Sequence, residues 1–204
     1  MSGLDANIKK LAAIAYGEAS TLNDADEVLG IAFAVANRAR AWGGKTIAEL
    51  IQADPNYTYA INGTNIRYER LMKIGNVNEI NQDSGMKQAL NAATKAWAND
   101  GPDPSNGAYW WDGIDFKTNY ARHPKVKDGF RFGDPSHNIF GVKENSFERI
   151  LYWKVRNRKT GKEVNSKERG RFSAVWISTA AHGKTIFWLH DPEYLTTSGG
   201  KAYR

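Results

Sequence analysis

Apolar residues in the first hundred positions recur at intervals of three and four. Ile8, Leu11, Ile14 and Ala15 form one such series, and Val28, Leu29, Ile31, Ala32, Val35, Ala36 and Ala39 form a second. This is the spacing of one face of an α-helix. Asn23, Asp24 and Asp26 precede the second series, with Glu27 three residues after Asp24, a pattern that predicts an N-cap with a capping box; Gly43 and Gly44 stop the helix. A short third helix is expected over Thr46–Ala53, ahead of Pro55, and a longer one over about Gly85–Asn99, with Met86, Leu90, Ala93 and Trp97 on one stripe.

From Gly101 to Val142 the period is lost among Gly, Pro, Asp, Asn and aromatic residues. A long ordered loop region is expected there, and loops of that length inside a compact domain tend to carry function. Alternation then takes over. Leu151, Trp153 and Val155 oppose Tyr152, Lys154 and Arg156 ahead of a turn at Thr160-Gly161, while Val175, Ile177, Ile186 and Trp188 flank a turn near His182-Gly183-Lys184. Helices followed by hairpins predict the α+β class. The expected division is a mainly helical module over residues 1–145 and a basic antiparallel β-hairpin extension over 146–204, packed on it.

Composition narrows the picture. A chain of 204 residues suits one domain with an appendage. The net charge of +6 is unevenly placed: residues 1–102 hold 10 basic and 11 acidic side chains, and residues 103–204 hold 18 and 11. The excess is densest from Arg149 to Arg171, where nine Lys or Arg stand against Glu163 and Glu168. Such a cluster reads either as a solvated hairpin face or as a surface that meets something anionic. No run reaches the ~18 apolar residues of a membrane span, and the N-terminus lacks the apolar stretch of a signal peptide. Synthesis in the cytoplasm, without membrane insertion, is expected. With no cysteine, disulfides, thiolate nucleophiles and thiolate zinc sites are excluded.

One position on the first helix breaks the pattern. Continuing Ile8, Leu11 and Ala15 by three places Glu18 on the apolar stripe, where a carboxylate is costly unless paired or used. Partial burial would raise its pKa toward that of a general acid; alternatively the helix ends at Gly17 and Glu18 points to water. Glycoside hydrolysis usually needs a second carboxyl group. Asp24, Asp26 and Glu27 are accounted for as acids at a helix N-terminus, which leaves Asp112 and Asp115. Asp112 follows Tyr109, Trp110 and Trp111, aromatic residues that either stack on sugar rings or belong to the core.

Other chemistries lack their patterns. His123, His137, His182 and His190 show no close metal-ligand spacing, so no metal and no cofactor is expected. Gly44-Lys45-Thr46 and Gly183-Lys184-Thr185 lack the earlier glycine of a phosphate-binding loop, which is replaced by Ala39 and Ser178. No G-x-S-x-G occurs.

Taken in order, the segments Ala15-Tyr16-Gly17-Glu18-Ala19, Gly30 to Arg38, Thr46-Ile47 with Leu50-Ile51-Gln52, Ala89-Leu90 with Ala92-Ala93, and Gly101 followed by Asp103-Pro104-Ser105-Asn106-Gly107-Ala108-Tyr109-Trp110 resemble the SleB-type cell-wall hydrolases. Ser136-His137-Asn138-Ile139-Phe140 is similar to that family's closing G-x-H-x-F element. The resemblance covers roughly residues 8–142. It implies a lysozyme-like helical domain that cuts the glycan strand of peptidoglycan, with Glu18 as catalytic acid. Tyr57-Thr58-Tyr59 stands where the family has Q-F-S, and the segment 113–133 is longer.

The expected site therefore comprises Glu18 and Asp112 as catalytic groups, with Tyr57, Tyr59, Tyr109, Trp110, Trp111 and His137 as substrate contacts. Peptidoglycan is the expected partner, bound by a monomer. The chain also resembles lysozyme domains of toxins delivered by type VI secretion, which implies action in the periplasm or wall of a target bacterium and an immunity protein as a further partner. A lytic transglycosylase using the same glutamate is the first alternative. A non-catalytic module that binds the wall or nucleic acid through the basic hairpins is a second, although no nucleic-acid motif occurs and no nucleic-acid partner is expected. A zinc amidase using the histidines is a third.

Overall fold

The computed structural model describes residues 4–204; residues 1–3, the start of the expected helical module, lie outside the described residues. Asp5 opens the first helix by accepting the backbone N–H groups of Asn7 and Ile8 at 2.8 and 3.0 Å, and α1 runs Ala6–Glu18. It is followed by α2 (Ala25–Ala41), α3 (Ile47–Ala53), α4 (Ile66–Lys73), the short α5 (Val77–Ile80) and α6 (Ser84–Ala98). Every residue of α1 from Leu11 to Tyr16 is buried, because the helix is enclosed by α2, α3, α4 and α6. Ala12, Ala13 and Ala15 let those neighbours approach, and a helix enclosed on all sides shows only a weak apolar stripe in sequence.

The start of α2 differs from expectation. Asp24 does cap it, accepting the Glu27 N–H at 2.8 Å, but the Glu27 side chain does not return to the cap. It is buried and accepts hydrogen bonds from Ser20 Oγ at 2.5 Å, Thr185 Oγ1 at 2.8 Å and the Lys184 N–H at 3.2 Å. Glu27 is therefore a strut between α2 and the C-terminal strands, not a surface acid serving the helix terminus. The reciprocal capping box lies at α3, where Glu49 accepts the Thr46 N–H at 2.8 Å and Thr46 Oγ1 accepts the Glu49 N–H at 3.2 Å.

The region expected as loop carries short elements: β1 (Trp110–Asp112), α7 (Asp115–Thr118), α8 (Pro124–Asp128) and β2 (Phe130–Arg131). Then come β3 (Arg149–Arg156), β4 (Glu163–Phe172), β5 (Trp176–His182), β6 (Thr185–His190) and α9 (Pro192–Ser198). The class is α+β, as the sequence predicts. Both hairpins form at the predicted turns, but they belong to different sheets. β3 and β4 make a two-stranded sheet of their own, whereas β5 and β6 join β1 and β2 in the order β1-β6-β5-β2. Trp110, Trp111 and Asp112 pair with Trp188, Phe187 and Ile186, so strand pairing crosses the expected division at 145/146. The reason is burial: Ile186, Phe187 and Trp188 are fully covered and need partners from the preceding segment.

Alternation along β6 serves two cores. Phe187 faces the helices, and Ile186 and Trp188 pack with Phe116, Val126, Phe130 and Phe140 on the other side. At Gly30 of α2 a Cβ would lie 2.6 Å from the Phe187 ring, so glycine is what allows the helix to sit on the sheet. Among the described residues no helix is long and apolar enough to cross a membrane.

Candidate active site

The last turn of α1 is held by side chains from α4 and the loop before it. Asn65 Nδ2 donates to the Gly17 carbonyl at 2.9 Å, and Arg67 donates to the carbonyls of Ala19 and Ser20 at 2.8 and 3.0 Å while its guanidinium lies 4.0 Å over the Tyr16 ring. The Gly17 carbonyl is one of those that a helix end leaves without an intrahelical partner. Gly17 permits the approach: a Cβ there would stand 3.0 Å from Asn65 Oδ1 and 3.2 Å from the Ala60 Cβ.

The loop so placed delivers hydrogen bonds to Glu18. Thr58 Oγ1 and the Ala60 N–H, the latter at 2.7 Å, both donate to Oε1, and Trp111 Nε1 approaches Oε2 at 3.4 Å. Thr58 is buried and Glu18 half-buried. The helix thus continues one residue past Gly17, and the carboxyl group turns into a cleft instead of outward to water.

That cleft has a volume of about 520 Å³, within the range of small-molecule sites, and brings together Glu18, Tyr57, Tyr59, Trp110, Trp111 and Asp112. Trp111 shares the sheet face of Phe187 and so reaches Glu18, whereas Trp110 and Asp112 take the opposite face. Tyr59 is 77% exposed at the mouth. Tyr57 is a wall element: its hydroxyl donates to the Tyr109 carbonyl at 2.7 Å, its ring meets Trp111 edge-on at 5.2 Å, and burial pushes its phenol far above the usual range.

Two expected contacts lie elsewhere. Tyr109 does not line the cleft; its backbone binds the Tyr57 hydroxyl and the Trp188 carbonyl. His137 is drawn to the far edge of the sheet, where Nδ1 sits 2.8 Å from Ser178 Oγ.

Asp112 is already engaged. Its side chain is 10% exposed, with Lys125 Nζ at 2.8 Å and His123 Nε2 at 3.2 Å. Lys125 in turn lies 4.8 Å over the Trp176 ring, another wall of the cleft. The sequence reading missed Thr58, which meets Glu18 across 40 residues, Trp176, which a parallel strand pairing brings in, and Lys125, which reaches Asp112 through a turn and a short helix without any periodic pattern. His123, Asp112 and Asp115 also converge, with ligand-type atoms within 4.8 Å of one another, a grouping that their spacing in the chain did not disclose. The ammonium of Lys125 neutralises the same Asp112 and competes with any cation there.

Behind the aromatic walls, Arg38 and His190 pack against the rings from outside the cleft. Arg38, 3% exposed, binds Asp54 at 2.8 Å and stacks on Tyr57 and Trp110 at 4.3 and 4.9 Å. His190 lies 4.6 Å from Trp110 and 4.4 Å from Trp176. Burial lowers its pKa to about 4, opposed by the Lys201 backbone and aided by the charges of Arg38 and Lys125. Because the folded state binds this proton more weakly than an unfolded His near 6.5, the stability is fully present above about pH 6.5 and declines as pH falls toward 4. Melting temperatures recorded from pH 7 to pH 4 should fall, and His190→Asn should flatten that slope; equal slopes would remove His190 as its source.

Several residues of the family-like segments are engaged in structural bonds. Asn37 donates to Asp103 at 2.8 Å and Arg40 to Asn37 at 2.7 Å, tying α2 to the loop that leads into β1. Comparison with protein-family models, curated proteins and solved structures returned no match for this chain.

Proposed function

We propose that the protein is a lysozyme-like glycosidase that cuts the glycan strand of peptidoglycan, with Glu18 as the general acid. The observation that carries this reading is a single carboxyl group at a helix end, oriented by Thr58, Ala60 and Trp111, facing an open cleft walled by Tyr59, Trp110, Trp111 and Trp176. Flat aromatic walls suit pyranose rings, whose axial C–H groups stack on them. Glu18 protonates the glycosidic oxygen as the bond to the anomeric carbon breaks and positive charge develops on the ring. Attack by water, with its proton returned to Glu18, completes hydrolysis and leaves a reducing end.

The state of Asp112 favours a second course at the same glutamate. A carboxylate held between Lys125 and His123 is poorly placed to activate water, since the neighbouring ammonium offsets its charge. Attack by a hydroxyl of the cleaved sugar itself, its proton passing to the deprotonated Glu18, then gives an anhydro end, the product of a lytic transglycosylase. Mass spectrometry of fragments released from purified peptidoglycan separates the two: reducing muramyl ends mean hydrolysis, anhydro ends mean transglycosylation. Both should form equally in the presence of a chelator. Release of stem peptides with no glycan cleavage, abolished by chelator, would instead support an amidase and refute the glycosidase.

A further inference from the structure

The cleft and the hairpin carry opposite charge. Glu18, Asp54, Asp112 and Asp115 line the cleft against Arg122 and Lys125, so the cleft itself offers little attraction to an anionic polymer. Residues 149–171 hold nine cationic and two acidic side chains. Within the ~8 Å screening length of physiological salt, the hairpin is the part of the molecule that would attract an anionic strand.

The hairpin is also built outward. Its root is clamped by α9, where Thr197 Oγ1 donates to the Arg171 carbonyl at 3.1 Å and Arg169 donates to the Ser198 carbonyl at 2.8 Å. Residues 152–156 and 158–169 are exposed on both faces. A two-stranded ribbon left uncovered gains little from its own burial, yet this one displays Tyr152, Trp153, Val155 and Val164 to solvent. Val155 pairs with Val164 and shares its face with Trp153, and Arg169 lies 4.7 Å over the Trp153 ring. Trp153 lies opposite the register irregularity between Tyr152 and Lys154, where β4 spends one residue more than β3, so the alternation along β3 is kept.

A path joins this arm to the cleft. Lys125 lines the cleft on α8; two residues on, the exposed Lys127 offers its carbonyl to Arg149 at 3.0 Å, and Arg149 begins β3. We propose that the β3–β4 hairpin is a second binding surface for the carboxylate-bearing glycan strand, holding the polymer next to the cleft that cuts it; this rests on the glycosidase reading. Cations meet the stem-peptide carboxylates, and the Trp153 stripe meets the sugar faces.

Co-sedimentation with purified sacculi tests this, with the full chain carrying Glu18→Gln so that the polymer stays intact. In that background Arg158→Glu, Lys159→Glu and Lys162→Glu together, all in the exposed turn, should weaken retention roughly tenfold near 0.1 M salt, since reversing three charges lowers the net charge by six units on a surface that salt only partly screens. Trp153→Ala should weaken retention at high salt as well, where charge is screened. Unchanged retention in both variants overturns the proposal, as does tighter binding to duplex DNA than to sacculi. Failure of the glycosidase reading shows separately, as wild-type protein that pellets with sacculi yet releases no glycan fragment.

Discussion

Replacing Glu18 by Gln is expected to lower the release of glycan fragments from purified peptidoglycan by about 10²- to 10⁴-fold, the range that a positioned general acid supplies. The substitution removes the transferable proton and keeps an acceptor oxygen for the Thr58 hydroxyl and the Ala60 N–H, which now donate to Oε1. The fold should therefore survive, with a melting transition close to that of the wild type. Both quantities are needed. A loss of activity accompanied by unfolding would say only that the end of α1 had come apart, whereas loss with an intact transition assigns the proton to Glu18. Retention of most activity would refute the assignment, whichever product is formed.

The second large effect belongs to Lys125. Its ammonium is 2.8 Å from Asp112, and both side chains are only 10% exposed. Removing one member of a buried ion pair leaves the other charge uncompensated, which typically costs 3–5 kcal/mol. Lys125→Met keeps an apolar stem of similar length and removes the charge that lies over Trp176. A destabilisation of about 3 kcal/mol corresponds to a fall in Tm of roughly 6–12 °C for a domain of this size. Combining it with Asp112→Asn, which removes the orphaned charge, should restore most of that loss. The double variant also separates structure from chemistry: if Asp112 acts on the substrate, stability returns and turnover does not. An unchanged Tm in Lys125→Met would mean that the pair is solvated and that Asp112 is free for catalysis after all.

These two residues show how differently a site can be written in a sequence. Glu18 is legible because it interrupts an apolar series at helical spacing, and the helix carries it to the cleft edge through purely local geometry. Asp112 is legible only as a carboxylate beside aromatics. Its partners His123 and Lys125 arrive through a turn and a short helix for which the residues 113–128 show no period, so the ion network that defines its state is tertiary. Glu27 makes the same point. The spacing Asp24 to Glu27 is that of a capping box, but Thr185 and Ser20 offer the carboxylate buried partners, and pairing inside the protein prevailed over the local motif.

Periodicity alone determined the α+β class, the helices over α1, α2, α3 and α6, and both C-terminal hairpins, because each rests on contacts between residues near in sequence. The amphipathic α4 and the four-residue α5 went unread. Pairing of β6 with β1, and of β5 with β2 in parallel, joins segments more than 40 residues apart, and nothing in the alternation of either strand names its neighbour. That pairing was decided by the need to bury Ile186, Phe187 and Trp188. It set Trp111 against Glu18 and left the β3–β4 hairpin as a separate charged arm. The residues of the site are thus in the sequence, while their convergence on one cleft is a property of the packed chain, where burial and long-range hydrogen bonds outweigh local preference.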